Sequence, residues 1–381
     1  MNRRTIFYNQ LSIMAISSIR MQHFRSYDDS SFEFTPGVNI IVGPNASGKT
    51  NLLEAVLLVA RGASYRAKDA ELVSFEAPWA RLDAQTDDDG SRVLKLVVSP
   101  SGAVKKSFEV DGKAFLRLSP QKSLPVVVFE PDHLLMLAGS PDMRRTYLDD
   151  LIEQTVPGFG TVRRHYRRVL AQRNALLKQG YDQAAHQLFV WNLRLSELAG
   201  QVVHERLTLL ERMNAQMSQV YGQLSRTNAE VVARYDSKIA NSLAEAQTGH
   251  AGRYETALLH RLEQTAERDC LLGFTANGPH RDDMSLLLNG HESQDTASRG
   301  ENRTMILALK IIELQLIAAA RDQAPLLLLD DVFSELDGSR RQALTSFLSE
   351  YQTFITTTDA DVVVKHFIDS CNIIPLSSAT S

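Results

Sequence analysis

Two short runs near opposite ends of the chain constrain the fold more than any other feature. Gly43-Pro44-Asn45-Ala46-Ser47-Gly48-Lys49-Thr50 fits G-x-x-x-x-G-K-[ST], and Leu326-Leu327-Leu328-Leu329 runs into the carboxylates Asp330 and Asp331. Val38-Asn39-Ile40-Ile41-Val42 reads as a buried strand before the first run, and residues 51–60 read as the helix behind it. A glycine-rich loop at a helix start offers backbone N–H groups and the helix dipole to an oligophosphate. In that context Lys49 is placed to reach the β- and γ-phosphates of ATP, and the Thr50 hydroxyl to ligate Mg²⁺. Asp330 fits a carboxylate that holds Mg²⁺ through water. Asp331 fits the group that orients or deprotonates the attacking water. Alone, the two aspartates read equally well as strand-end turn residues; paired with the phosphate loop they select triphosphate chemistry.

Ser298-x-Gly300 opens the helix expected over residues 301–320, shortly before the carboxylate strand. A serine cap and unpaired amides at a helix start make a second anion site. One chain cannot easily bring this site and the phosphate loop to the same γ-phosphate, whereas two chains arranged head-to-tail can. The plain alternative is an ordinary N-cap.

The chain has 381 residues, 44% of them hydrophobic and 23% charged, the balance of a globular protein of two to three domains. No apolar run is long enough to predict a membrane span. Met1-Asn2-Arg3-Arg4 is basic without an apolar stretch behind it, so no secretory signal is expected. The two cysteines, Cys270 and Cys371, are far apart, which points to a reducing, cytoplasmic setting and away from a cysteine zinc site. A formal charge of −4 argues against a uniformly basic nucleic-acid coat and leaves room for a local patch.

The pattern along the chain is split. Residues 13–34 are strand-like with a turn near Tyr27-Asp28-Asp29, residues 92–98 and 104–110 alternate as an antiparallel meander, and 126–129 is another buried strand. From about 142 to 269 the pattern is almost wholly helical, broken near Pro157-Gly158 and Gly180. Leu188, Leu195, Val202 and Leu209 recur every seven residues, as do Trp191 and Leu198, a seam that fails at Glu205, so a short helical hairpin or bundle reaching at most roughly 80 Å is expected. Strands return at 284–288, 326–329 and 354–358, with a helix from about Ser339. The expected architecture is α/β. The divisions are an extension at 1–10, a first head segment at 11–155, a helical insertion at 156–270 and a second head segment at 271–381.

Four segments resemble the ABC-type head of the SMC-like ATPases, and among these the RecF family of bacterial DNA repair and replication proteins. They are Phe24-Arg25-Ser26-Tyr27 with Phe32-Glu33-Phe34 and the phosphate loop, residues 131–149, Gly278-Pro279-His280-Arg281-Asp282-Asp283, and residues 330–337. The resemblance implies an ABC-ATPase-type head built from both chain ends, with an antiparallel β subdomain and a helical arm. It implies a homodimer closed by two ATPs, in which Ser298 and Gly300 of one chain cap the γ-phosphate held by Lys49 of the other. Asp337, in the D-loop, lies at that interface, and Arg25 joins the nucleotide site. It also implies slow ATP hydrolysis that times release from DNA, at duplex, gapped or single-stranded junctions. The implied partners are RecR, with RecO, and RecA, which the family helps to load at gaps and stalled forks. Glu301-Asn302 departs from the Gln-Gln of the family signature, and no switch histidine follows residues 354–358.

Arg163, Arg164, Arg167 and Arg168 form two i,i+4 pairs on one expected helix, a stripe suited to DNA phosphates, or else a solvated face paired with acids. Arg144-Arg145 read as structural, braced by Asp149 or Asp150, and Arg281-Asp282-Asp283 as an ion-paired turn. Competing readings are an ABC ATPase subunit of a transporter and a small-molecule kinase. The long insertion and residues 131–149 speak against the first, and Ser298-x-Gly300 is unneeded in the second.

Overall fold

The run Val38-Asn39-Ile40-Ile41-Val42 forms one strand of a five-stranded sheet in the computed structural model. The structure describes residues 14–377 apart from 65, 76, 246–250, 349, 360–362, 364, 366 and 368–370; the expected extension at 1–10 lies outside the described residues. The strand order is Cys371–Pro375, Val38–Val42, Thr353–Thr357, Leu326–Asp330, Val126–Phe129, and every pair is parallel. Leu326–Asp330 and Thr353–Thr357 are buried at every position, which is why they read as unbroken runs instead of alternating. A second, antiparallel sheet of six strands runs Tyr27–Glu33, Ile16–Phe24, Trp79–Thr86, Ser91–Val98, Val104–Val110, Lys113–Phe115. Its first turn falls at Arg25-Ser26, just before the Tyr27-Asp28-Asp29 run where it was expected.

The helix Lys49–Arg61 packs against both sheets and is buried at every position from 52 to 60. A helix buried on all sides lies between two layers, and one core cluster holds its apolar residues with those of both sheets. It ends at Gly62, whose φ of 79° lets its N–H reach Leu58 O.

The chain divides into two units, residues 1–133 with 313–381, and residues 134–312. Both sheets above lie in the first. The second reaches further along the chain in both directions than the insertion expected at 156–270. It holds the helices Pro141–Thr155, Phe159–Leu177 and Tyr181–Ser225, separated at Pro157-Gly158 and Gly180. Leu188, Leu195, Val202 and Leu209 are all buried on one face of the 45-residue helix Tyr181–Ser225, which folds back on Phe159–Leu177 as a hairpin. At 1.5 Å per residue that helix is about 68 Å long. One strand interrupts the expected helical run. Val231–Asp236 pairs antiparallel with Asp283–Leu288, and its buried Val231, Ala233 and Tyr235 show the period-2 pattern that the surrounding helices masked.

Candidate functional site

The strand Val38–Val42 delivers residues 43–50 to the start of the helix Lys49–Arg61. Two glycines make the loop possible. A Cβ at Gly43 would lie 2.5 Å from Ser47 Oγ and 2.7 Å from Leu376 O, and Gly48, at φ 95°, would drive one to within 2.7 Å of the Tyr27 hydroxyl. That hydroxyl donates to Gly48 O at 3.1 Å, and Asn51 Nδ2 donates to Ser26 Oγ at 3.0 Å, tying the first β-turn to the loop. Pro44, Asn45 and Ala46 are exposed, with Ala46 in the left-handed region. Lys49 is buried, its Nζ donating to Gly43 O at 2.9 Å and Pro44 O at 3.0 Å.

The carboxylate strand closes the site. Thr50 Oγ1 donates to Asp330 Oδ1 at 3.0 Å, joining residues 280 apart in sequence. Thr356 Oγ1, on the strand between, donates to the same oxygen at 2.7 Å and accepts the Asp331 N–H at 2.9 Å. Sequence reasoning left Thr356 without a role; its signal was the threonine run that ends a buried strand. Asp331 takes a left-handed φ of 52°. Burial pushes its carboxyl up; Lys49 pulls it back and Asp330 adds to the rise, so it is a readier proton acceptor than an exposed aspartate.

The loop fits a triphosphate. Ser47 Oγ is buried and has no hydrogen-bond partner among the described residues, and an orphaned buried hydroxyl calls for a ligand atom. Among the described residues no group of three or more His, Cys, Asp and Glu is gathered. Thr50 and Asp330 bring two oxygen donors together at the loop, of the kind that could hold a divalent cation if phosphate oxygens completed the set. Arg25 reaches Glu54 through Nε at 2.9 Å and Nη2 at 3.2 Å, beside the loop.

Ser298 and Gly300 lie in the other unit, at the start of the helix Arg299–Arg321. Ser298 is exposed and forms a reciprocal cap with Glu301: its N–H donates to Glu301 Oε2 at 2.8 Å, and its Oγ accepts the Glu301 N–H at 3.2 Å. Glu301 thereby completes a capping box. Asp337 caps the helix Gly338–Leu348, accepting from Arg340 N at 2.9 Å and Ser339 Oγ at 2.8 Å, with its side chain half exposed.

The arginine stripe is corrected. Arg164, Arg167 and Arg168 are exposed on Phe159–Leu177, but Arg163 is not. Its guanidinium is 11% exposed and pairs with Asp149, Asp150 and Glu153 of the preceding helix. Those carboxylates, one tight turn upstream, were the readable sign. Arg144 and Arg145 are structural, with other partners than expected. Arg144 forks onto Asp283 at 2.8 and 2.7 Å and collects the carbonyls of Met136, Leu137 and Gly139; Arg145 reaches Asp282 O and Asp142. Residues 131–149 and 278–283, two of the segments that carry the resemblance, are therefore joined. Asp149 instead accepts from the buried Arg206 at 2.9 Å. Asp282 is buried and accepts the Tyr235 hydroxyl at 2.9 Å, a hydroxyl-bonded hub, while the ion pair expected of this run is made by Asp283 with Arg144.

The model of the RecF/RecN/SMC N-terminal domain matches residues 15–374. A DNA replication and repair protein RecF from Heliobacterium modesticaldum is 38% identical over 352 residues, 91% of this chain and 92% of that one. The chain belongs to the RecF family. A second RecF, from Halalkalibacterium halodurans, is 35% identical over 354 residues, 91% of this chain and 94% of its own length. Among solved structures, one described as the recombination mediator protein RecF-ATPrS in the RecFOR pathway superposes with a TM-score of 0.83 at 28% identity, covering 97% of this chain and all of that one. Its RecF-ATP counterpart gives 0.82 at 28%, with 97% of both chains covered. The head built from both chain ends, its antiparallel sheet and its helical unit are therefore those of the RecF family.

Proposed function

We propose that this chain is an ATP-switched DNA-binding ATPase of replication and recombinational repair, working in the cytoplasm at the nucleoid. The observation that carries the reading is the Thr50–Asp330 hydrogen bond, which unites phosphate loop and carboxylate strand under Thr356. Lys49 exchanges its two loop carbonyls for β- and γ-phosphate oxygens, and Ser47 gains the partner it lacks. Thr50 and Asp330 would hold Mg²⁺, which when bound neutralises phosphate charge. Asp331 takes the proton of the attacking water as its oxygen bonds to the γ-phosphorus and ADP leaves. Ser298 and Gly300 of one protomer cap the γ-phosphate held by the other, with Asp337 at the same interface, so ATP binding closes a homodimer and hydrolysis times its opening. Arg164, Arg167 and Arg168 contact DNA phosphates without reading sequence. RecR, RecO and RecA are the partners this implies, with RecA loading at gaps and stalled forks as the outcome.

The test is DNA binding with ATP, ADP and no nucleotide, read alongside sedimentation. Wild type should dimerise and bind DNA only with ATP, Lys49→Ala should lose nucleotide binding, and Ser298→Arg should bind ATP as a monomer. A Ser298→Arg dimer in ATP would overturn the trans cap, and nucleotide-independent DNA binding the switch.

A further inference from the structure

Glu54 is a carboxylate with no exposed surface, five residues into the phosphate-loop helix, and the proposed chemistry does not use it. Three groups converge on it: Arg25 through Nε and Nη2, Ser64 through Oγ, and Arg66 through Nη2 at 3.3 Å. Burial alone would raise its pKa; the Arg25, Ser64 and Arg66 contacts outweigh that and hold it low, so it stays charged.

The geometry at Arg25 is directional. A guanidinium is a rigid planar fork, and Glu54 occupies the Nε–Nη2 edge. Nη1 meets no partner among the described residues. The Arg25 backbone is held at φ 55°, a conformation that side-chain-bearing residues rarely adopt, by its N–H to Leu72 O at 3.0 Å and the Ser74 hydroxyl on its carbonyl at 2.8 Å. Such outliers persist where the surrounding structure over-determines them, and they cluster at ligand clamps. The next two residues, Ser26 and Tyr27, hydrogen-bond Asn51 and Gly48 of the loop itself.

We propose that Glu54 is a positioning residue for the nucleotide: it grips one edge of Arg25 so that the other edge meets a phosphate oxygen of the bound triphosphate. This rests on the nucleotide site proposed above. Arg66 and Ser64 fix Glu54 in turn, and Arg66 Nη2 also donates to Asn51 Oδ1 at 3.1 Å, locking the cluster to the helix start.

The experiment measures ATP affinity of the full chain by calorimetry, with thermal unfolding recorded on each variant. Glu54→Gln keeps the shape but loosens the charged grip, and should weaken ATP binding about tenfold, one charge-assisted contact's worth. Arg25→Lys, which keeps charge but not the fork, should lose as much as Arg25→Ala. Arg25→Ala with Glu54→Gln should be no weaker than Arg25→Ala alone, because the two act as one unit. A Glu54→Gln protein that melts lower yet binds ATP as wild type does overturns the proposal, as do Arg25→Lys binding at wild-type strength and additive losses in the double variant. Lys49→Ala separates the two readings. If it abolishes binding and Glu54→Gln leaves binding at wild-type strength, only the positioning role fails; if wild type binds no ATP, both fail.

Discussion

Glu301→Gln places a neutral amide next to Ser298 and tests the dimer geometry through a residue outside the phosphate loop and the carboxylate strand. Its carboxylate is held below its ordinary value of 4.5 by the Ser298 N–H and then the Ser298 side chain. A depressed carboxyl contributes stability above its unfolded pKa and loses it as pH falls through the folded one, so at neutral pH the charge is fully present. Removing it costs the helix start about 0.5 kcal/mol of dipole interaction, and the amide oxygen still caps. In the proposed dimer the same charge faces a γ-phosphate. Two unit charges about 8 Å apart at an effective dielectric of about 20 repel by about 2 kcal/mol. A Debye length of about 8 Å at physiological salt trims this to about 1 kcal/mol per site. Two sites per dimer give about 2 kcal/mol, or roughly a thirtyfold tighter dimer. Sedimentation velocity in ATP, with Asp331→Asn added to block turnover, measures it, and the gain should grow at low salt. Unchanged or weaker dimerisation, with ATP binding intact, would refute the idea that this helix start faces a phosphate across an interface.

Asp331→Asn should bind ATP normally and hydrolyse it at least about a hundredfold slower, the usual worth of a general base; single-turnover hydrolysis at the wild-type rate would remove Asp331 from the role. Arg164→Ala with Arg167→Ala should lower the slope of log affinity against log salt by roughly two, near 0.9 per lost phosphate contact; an unchanged slope moves the DNA surface elsewhere. Asp282 and His280 make a pH prediction with opposed signs. Burial pushes Asp282 up to about 6 and His280 down to about 4. Between these values the folded state keeps an Asp282 proton that the unfolded chain has lost, so this group's stability falls as pH rises. It also refuses a His280 proton that the unfolded chain takes up, so that group's stability rises with pH. Each contribution is about 3 kcal/mol, and they nearly cancel. In urea titrations Asp282→Asn should therefore lose about 3 kcal/mol relative to wild type between pH 6 and 4; parallel pH profiles would contradict the assignment.

The parallel sheet and its phosphate loop were legible because both rest on local signals: unbroken apolar runs for strands buried on two faces, and glycines where a Cβ would collide. Thr50 and Asp330 could be paired from the motif alone. Arg163 could not be placed, because whether an i,i+4 stripe faces water depends on what the previous helix carries, here Asp149, Asp150 and Glu153. Arg144 and Arg206 were opaque for the same reason in stronger form: their partners lie 139 and 57 residues away in sequence. Val231–Asp236 was missed because six alternating residues between long helices carry little signal until Asp283–Leu288 is known to lie beside them.

The order of strands in the parallel sheet also sets a schedule for synthesis. Val38–Val42, which carries the phosphate loop, has as sheet neighbours Thr353–Thr357 and Cys371–Pro375, both made long after it. Thr356, which seats Asp330 and Asp331, arrives equally late. A nascent chain can complete its antiparallel sheet and its helical unit while still tethered, yet hold no finished phosphate loop. The phosphate loop thus gains its flanking strands only after the antiparallel sheet and the helical unit have been made.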